Sequence, residues 1–164
     1  MKFTAKEEYG LRCLLQMARE PEGFGTIPEI AKREGLSTAY VAKIMRAMRR
    51  AGLIESTRGQ KGGYKLSRPP EEMNLGRVLA ALGGRLYTDD FCGRHSGAKG
   101  ACVHTIDCSV RTLWSALDTI VQRALRDTSL KDLLATERQM ESLVTLRIQS
   151  REPAGSADPM TRVP

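Results

Sequence analysis

The 164-residue chain predicts a mainly α-helical fold with one small β-hairpin, on three observations. Apolar residues recur at helical spacing along most of its length. The strand-like signal is confined to "GLIESTRGQKGGYKLSR" at 52–68, and the positive charge sits at one end. Residues 1–68 carry 14 Lys and Arg against 7 Asp and Glu, whereas residues 69–164 carry 12 against 12. The formal charge of +7 therefore belongs to the first part. Such a one-sided basic excess is the electrostatic footprint of a polyanion-binding module, most often one for nucleic acid. The opening "MKFTAKEEYG" holds no apolar leader and no later run approaches a membrane span, so a soluble cytoplasmic protein is expected.

The elements follow in order. Thr4 caps a first helix with Glu7 three residues later, a capping box, and Tyr9, Leu11, Leu14, Leu15, Met17 and Ala18 form its apolar stripe. "PEGFG" ends it. "IPEIAKREG" is a short second helix with Pro28 in its first turn and Gly35 as its stop. Ser37 then caps a third, "TAYVAKIMRAMRRAG", apolar at Val41, Ile44, Met45 and Met48 and basic at Lys43, Arg46, Arg49 and Arg50. Two helices joined by a tight turn, the second basic and amphipathic, make a helix-turn-helix pattern. The hairpin that follows has the position of a wing, with a Gly-rich basic tip. Residues 1–84 are thus expected to be a winged helix-turn-helix domain that binds double-stranded DNA. Ser37, Thr38, Tyr40 and Lys43, near the start of the third helix, are placed to face base edges and the nearest phosphates. Arg46, Arg49 and Arg50 serve the backbone or solvate the helix end. Arg58 and Lys61 at the wing tip reach phosphates or a minor groove.

"MNLGRVLAALGG" at 73–84 reads as a short helix packed on that domain. "SVRTLWSALDTIVQRALRD" keeps an apolar stripe (Val110, Leu113, Trp114, Leu117, Ile120, Val121, Ala124, Leu125) for more than four turns. A long amphipathic helix outside a small domain serves either as core within one subunit or as the seam of a symmetric dimer, and the seam is preferred. One final helix is expected over 130–148, within a dimerisation segment at 109–150, and 151–164 has the composition of a disordered tail. Between the domain and the long helix, residues 85–108 contain "FCGRHSGAKGACVHTIDC", a soft loop holding Cys92, Cys102 and Cys108. The fourth cysteine, Cys13, falls in the apolar stripe of the first helix and is expected to be buried. In a reducing compartment thiols suggest metal or redox chemistry more than disulfides. Structural zinc sites pair ligands two to four residues apart, and this loop has no such pair. Soft thiolates suit iron–sulfur or zinc, so an iron–sulfur site, a zinc or thiol-redox site and inert cysteines all stay open at this point. No Gly-rich phosphate loop or Ser/His/Asp set argues for an enzyme, and both histidines lie in the loop.

From residue 1 to about 135 the chain resembles the IscR/NsrR family of bacterial winged-helix regulators. The most specific pieces are the wing "GLIESTRGQKGGYKLSR" and the three-cysteine loop ahead of a long helix. The resemblance implies a homodimeric regulator, read as a repressor on a pseudo-palindromic operator. It also implies an iron–sulfur cluster, 4Fe-4S or 2Fe-2S, held by Cys92, Cys102 and Cys108, through which nitric oxide, redox stress or iron–sulfur status sets DNA affinity. A cluster several ångströms across tolerates the wide spacing, because each thiolate takes a different iron. The pattern departs from the family's in two places. The first gap between thiols is longer by four residues, and the position of the IscR-branch histidine is Arg111, which cannot ligate. In the NsrR-like branch a carboxylate on the first helix reaches the partner subunit's cluster, and the matching residue is Glu8. Its rivals as fourth ligand are His104 and His95 in the loop, with Asp107 a poorer one, and water, a small thiol or no fourth ligand at all also stays open. A family member that senses thiol oxidation or a metabolite without a cluster is the alternative function.

Overall fold

The structure, a computed structural model, describes residues 4–21, 24–57, 62–83, 87–88, 90–95, 97, 100, 102–104 and 106–149. Helix α1 (Ala5–Arg19) begins at the expected capping box: Thr4 Oγ1 accepts from Glu7 N, and Glu7 Oε2 accepts from Thr4 N at 2.6 Å. Helix α2 (Ile27–Glu34) repeats the device with Thr26 and Glu29 and ends at Gly35. Helix α3 (Thr38–Arg50) starts on Ser37, whose hydroxyl accepts from Tyr40 N at 3.2 Å. Their apolar stripes meet in one core that includes Cys13, Leu14, Met17, Ile30, Val41, Ile44, Met45 and Met48.

The hairpin is present as β2 (Ile54–Thr57) and β3 (Gly63–Leu66), antiparallel, with Ile54 opposite Leu66 and Thr57 opposite Gly63. A two-residue strand, β1 (Phe24–Gly25), lies on the other edge of β3, giving the order β1-β3-β2. The sequence reading treats this segment only as a helix stop, since two residues are too few for an alternating pattern. Its consequence is visible at Gly63, where a Cβ would stand 2.5 Å from the Phe24 ring and 2.9 Å from the Gly25 carbonyl oxygen. Only glycine lets β3 pass that close.

Helix α4 (Leu75–Leu82), capped by Asn74, packs on α1 as expected; a Cβ on Gly10 would stand 2.6 Å from Leu82 Cδ2. A four-residue helix, α5 (Phe91–Arg94), precedes the long helix α6 (Ser109–Arg126). The chain after α6 returns to the same core. Leu75 N donates to Thr128 O at 2.9 Å, Leu130 N donates to Met73 O at 2.8 Å, and Leu130 is fully buried. This tie breaks the single helix expected over 130–148. A 3₁₀ turn at Asp132–Leu134 follows Leu130, and α7 (Glu137–Gln149) starts afresh from a third capping box, Thr136 with Gln139. The segment 151–164, expected to be disordered, lies outside the described residues, as do Arg58 and Lys61 of the wing tip.

Candidate nucleic-acid interface and cysteine loop

Helix α3 turns about 100° per residue, so Lys43, Arg46 and Arg50 fall in one narrow strip opposite the buried Val41, Ile44, Met45 and Met48. All three are exposed. Thr38 stands exposed in the first turn, and Arg49 on the flank that carries Thr38. Arg46 is folded back along its own helix, with Nε donating to Ala42 O at 3.3 Å. Ser37 spends one lone pair on the cap, yet its hydroxyl proton is still available to an outside acceptor. Tyr40 is half-buried on the opposite flank, its ring edge-on to Tyr9 at 5.9 Å between centroids. Behind Tyr9 stands the Arg12 guanidinium, 5.5 Å from that ring, and Arg12 Nε donates to Glu34 Oε2 at 2.6 Å. Gln16 Nε2 completes the set, donating to Glu34 Oε1 at 2.5 Å. The chain Tyr40–Tyr9–Arg12–Glu34 thus locks α3 to α1 and α2. Tyr40 is a packing residue as well as a surface one. Sequence reasoning assigns Tyr9 to the apolar stripe and has no signal for this contact.

The cysteine loop is braced at its start. Asp90 pairs with Arg94 at 3.2 Å, Thr88 donates its hydroxyl to Asp90, and Arg94 Nη2 reaches Thr88 Oγ1 at 2.8 Å. The Thr88 hydroxyl is the main reason the Asp90 carboxyl is held below the usual carboxylate range. Tyr87, Phe91 and His95 follow in series, the first pair tilted at 5.4 Å and the second stacked at 4.3 Å between centroids. His95 Nδ1 lies 2.8 Å from Phe91 O, so that nitrogen donates to the carbonyl. Cys92 sits inside this braced turn. Cys108 is the N-cap of α6, its sulfur accepting from Arg111 N at 3.4 Å, while Arg111 Nη2 reaches back to Ile106 O at 3.5 Å. The loop thus hands its last thiol directly to the long helix. Arg111, dismissed as a ligand by sequence, closes that end of the loop.

Cys92, Cys102 and Cys108 are all unpaired and partly exposed. Among the described residues, no group of three or more His, Cys, Asp or Glu side chains gathers as a metal set. Glu8 is exposed in the first turn of α1, and His104 and Asp107 are exposed in the loop. Cys13 lies apart and fully buried, as expected; burial pushes its thiol up to about 12, with Glu34 adding to the rise.

Beyond the loop, α6 presents three faces. Asp118, with half-buried Val121, Gln122 and Leu125, turns toward the body of the subunit. Thr112, Ser115, Ala116 and Thr119 make a small, polar face. Val110, Leu113, Trp114, Leu117 and Ile120 form the third, and Ile120 is 61% exposed.

A three-helix core, a wing and a basic, solvent-facing α3 define a winged-helix DNA-binding module. The chain matches the Rrf2 family, described as an iron-dependent transcriptional regulator, over residues 3–136, and it belongs to that family. Protein rrf2 of Nitratidesulfovibrio vulgaris is 34% identical over 135 residues, covering 82% of this chain and 87% of its own. The regulator IscR of Aliivibrio salmonicida is 31% identical over 135 residues, covering 82% and 77%. The solved structure of CymR, the global cysteine regulator of B. subtilis, superposes with a TM-score of 0.64 at 27% identity, covering 82% of this chain and 96% of that one. The protein is accordingly a DNA-binding transcriptional regulator and not an enzyme. Among the described residues no helix is long and apolar enough to cross a membrane.

Proposed function

We propose that the chain is a cytoplasmic homodimeric repressor whose affinity for a pseudo-palindromic operator is set by an iron–sulfur cluster on Cys92, Cys102 and Cys108. The observation that carries this reading is the position of Cys108. Three unpaired thiols end at the N-cap of a helix whose apolar face is open to a partner. Thiolates are the donor type an iron–sulfur centre needs, and the Arg111 N–H aimed at Cys108 supports a sulfur that carries charge. The fit lies in donor chemistry rather than in a preformed cage, as for sites that assemble with their metal. Bound there, the cluster would supply a centre that changes charge and ligation with nitric oxide, redox stress or iron–sulfur supply.

The chain's own residues do the rest. Ligation at Cys108 acts on the first turn of α6, and so on the seam that positions two DNA-binding domains. Glu8 of one subunit, exposed on α1, is the proposed fourth ligand in the other, tying the start of the DNA-binding domain to its partner's loop. A ligand shifts a two-state equilibrium only by favouring one state, and a cross-subunit bond meets that condition. The test is purification without oxygen. The expected result is a coloured protein with broad visible absorbance, whose DNA affinity changes several-fold when nitric oxide bleaches it. A colourless protein with three free thiols would defeat the cluster reading.

A second reading is a thiol-redox or metabolite-responsive regulator without a cluster. It is favoured by the lack of a gathered metal set among the described residues and by the likeness to CymR. It expects colourless protein whose DNA affinity responds to a thiol oxidant.

A further inference from the structure

Beside the exposed strip of α3 runs a 530 Å³ groove, walled by Lys6 of α1 and by Tyr40, Lys43 and Arg50 of α3. Between these polar walls it is lined by Ile44, Ala47 and Ala51 and, from α4, by Ala81. Three cations from two helices, Lys6 lying 37 residues before Lys43, therefore converge on one concave surface. None has a carboxylate partner within 4.0 Å among the described residues. By contrast Arg12, Arg33 and Lys65 are engaged by Glu34, Glu20 and Glu55. The nearest acidic residues of α1 are otherwise placed: Glu7 caps Thr4 N and lies over Gly83, and Glu8 is exposed. Converging unpaired cations in a cleft focus a positive potential. The groove is also continuous with the Lys43–Arg46–Arg50 strip, so whatever lies on that strip extends into it.

We propose that this groove seats the DNA sugar–phosphate backbone beside the recognition helix, and that Lys6 is a phosphate contact. The proposal rests on the reading of α3 as the helix that enters the major groove. Phosphate contacts position the protein without reading sequence, so a duplex of random sequence is a sufficient probe. Titrations would follow the full-length parent, Lys6→Ala, Lys6→Arg and Arg19→Ala over a range of salt. Arg19 is exposed at the far end of the same helix and removes the same charge without touching the groove. Lys6→Ala is expected to bind roughly two- to fivefold more weakly. Its slope of log affinity against log salt should be shallower by about 1. Lys6→Arg should keep the parent slope, and Arg19→Ala should change little. Lys6→Ala that matches the parent or Arg19→Ala would overturn the groove as a backbone seat. Arg46→Ala and Arg49→Ala, exposed on α3 but outside the groove lining, separate the two readings. If they weaken binding while Lys6→Ala does not, only the groove fails. If they also leave binding unchanged, the reading of α3 fails with it.

Discussion

Cys13 and the loop cysteines differ in surroundings, and that difference sets their chemistry. The Cys13 thiol is enclosed by the α1 core beside Glu34, so its anion is disfavoured and ionisation is pushed from 9.0 to about 12. In folded protein freed of any cluster, a thiol-specific alkylating reagent at neutral pH should modify Cys92, Cys102 and Cys108 and spare Cys13, as read by peptide mass. The linkage has a definite sign. Unfolded chain loses the Cys13 proton near pH 9, whereas folded chain keeps it to about 12, so this contribution to stability is full below 9 and declines between them. Denaturation midpoints of the parent should therefore fall more steeply over that window than those of Cys13→Ala. At neutral pH the same substitution costs roughly 1–3 kcal/mol in lost packing. Gly63 is constrained by sterics instead. Gly63→Ala drives a Cβ into Phe24 and the Gly25 carbonyl, and overpacking of that kind costs roughly 1–3 kcal/mol. A melting temperature equal to the parent's would mean β1 does not press on β3 in solution.

Helix α6 is the element whose surface most clearly lacks a partner. Leu113 is 54% exposed and Ile120 61%, on a stripe that stays apolar from Val110 onward. Exposed apolar faces of this extent mark contact with another chain. Leu117→Glu combined with Ile120→Glu is expected to convert a dimer to a monomer in sedimentation. It should leave the melting transition nearly unchanged, because neither side chain supports its own subunit's core. Persistence of the dimer would move the seam elsewhere. The same helix carries Cys108 at its cap, so charge introduced on the stripe should also weaken operator binding while leaving the loop thiols in place.

At the scale of the whole molecule, the proposed cluster would join sensing to DNA binding through two connections, Cys108 at the cap of α6 and Glu8 on α1. Replacing Cys92, Cys102 or Cys108 by Ala should abolish stable visible absorbance, whereas Cys13→Ala should retain it. Glu8→Ala is expected to keep a cluster with altered spectrum and faster decay, yet to uncouple cluster state from DNA affinity. Carboxylate is a harder and weaker partner for iron than thiolate, so this ligand should be lost first. If Glu8→Ala matches the parent in spectrum, decay and DNA response, the carboxylate is only a surface group and His104 becomes the leading fourth ligand. DNA binding itself should be steeply salt-dependent, with half-sites about one helical turn apart or a small multiple of it. A footprint without two-fold symmetry would count against a homodimer on the operator.

The capping box of α1, its apolar stripe, the basic helix α3 and the hairpin were legible in the sequence because each is set by residues close to one another along the chain. Thr4 with Glu7 and Ser37 before the basic helix are short-range signals, and short-range hydrogen bonds do not depend on the rest of the chain. The exposed α6 stripe was legible for the same reason, as was the burial of Cys13 at a stripe position. Contacts between distant segments were not. The pairing of Phe24 with Lys65, the tie from Leu130 to Met73 that breaks the last helix, and the ring contact of Tyr9 with Tyr40 all depend on how elements pack. So does the meeting of Lys6 with Lys43 and Arg50 across one groove. Side chains far apart in sequence are brought together by burial of the shared core, and no local pattern encodes which ones meet.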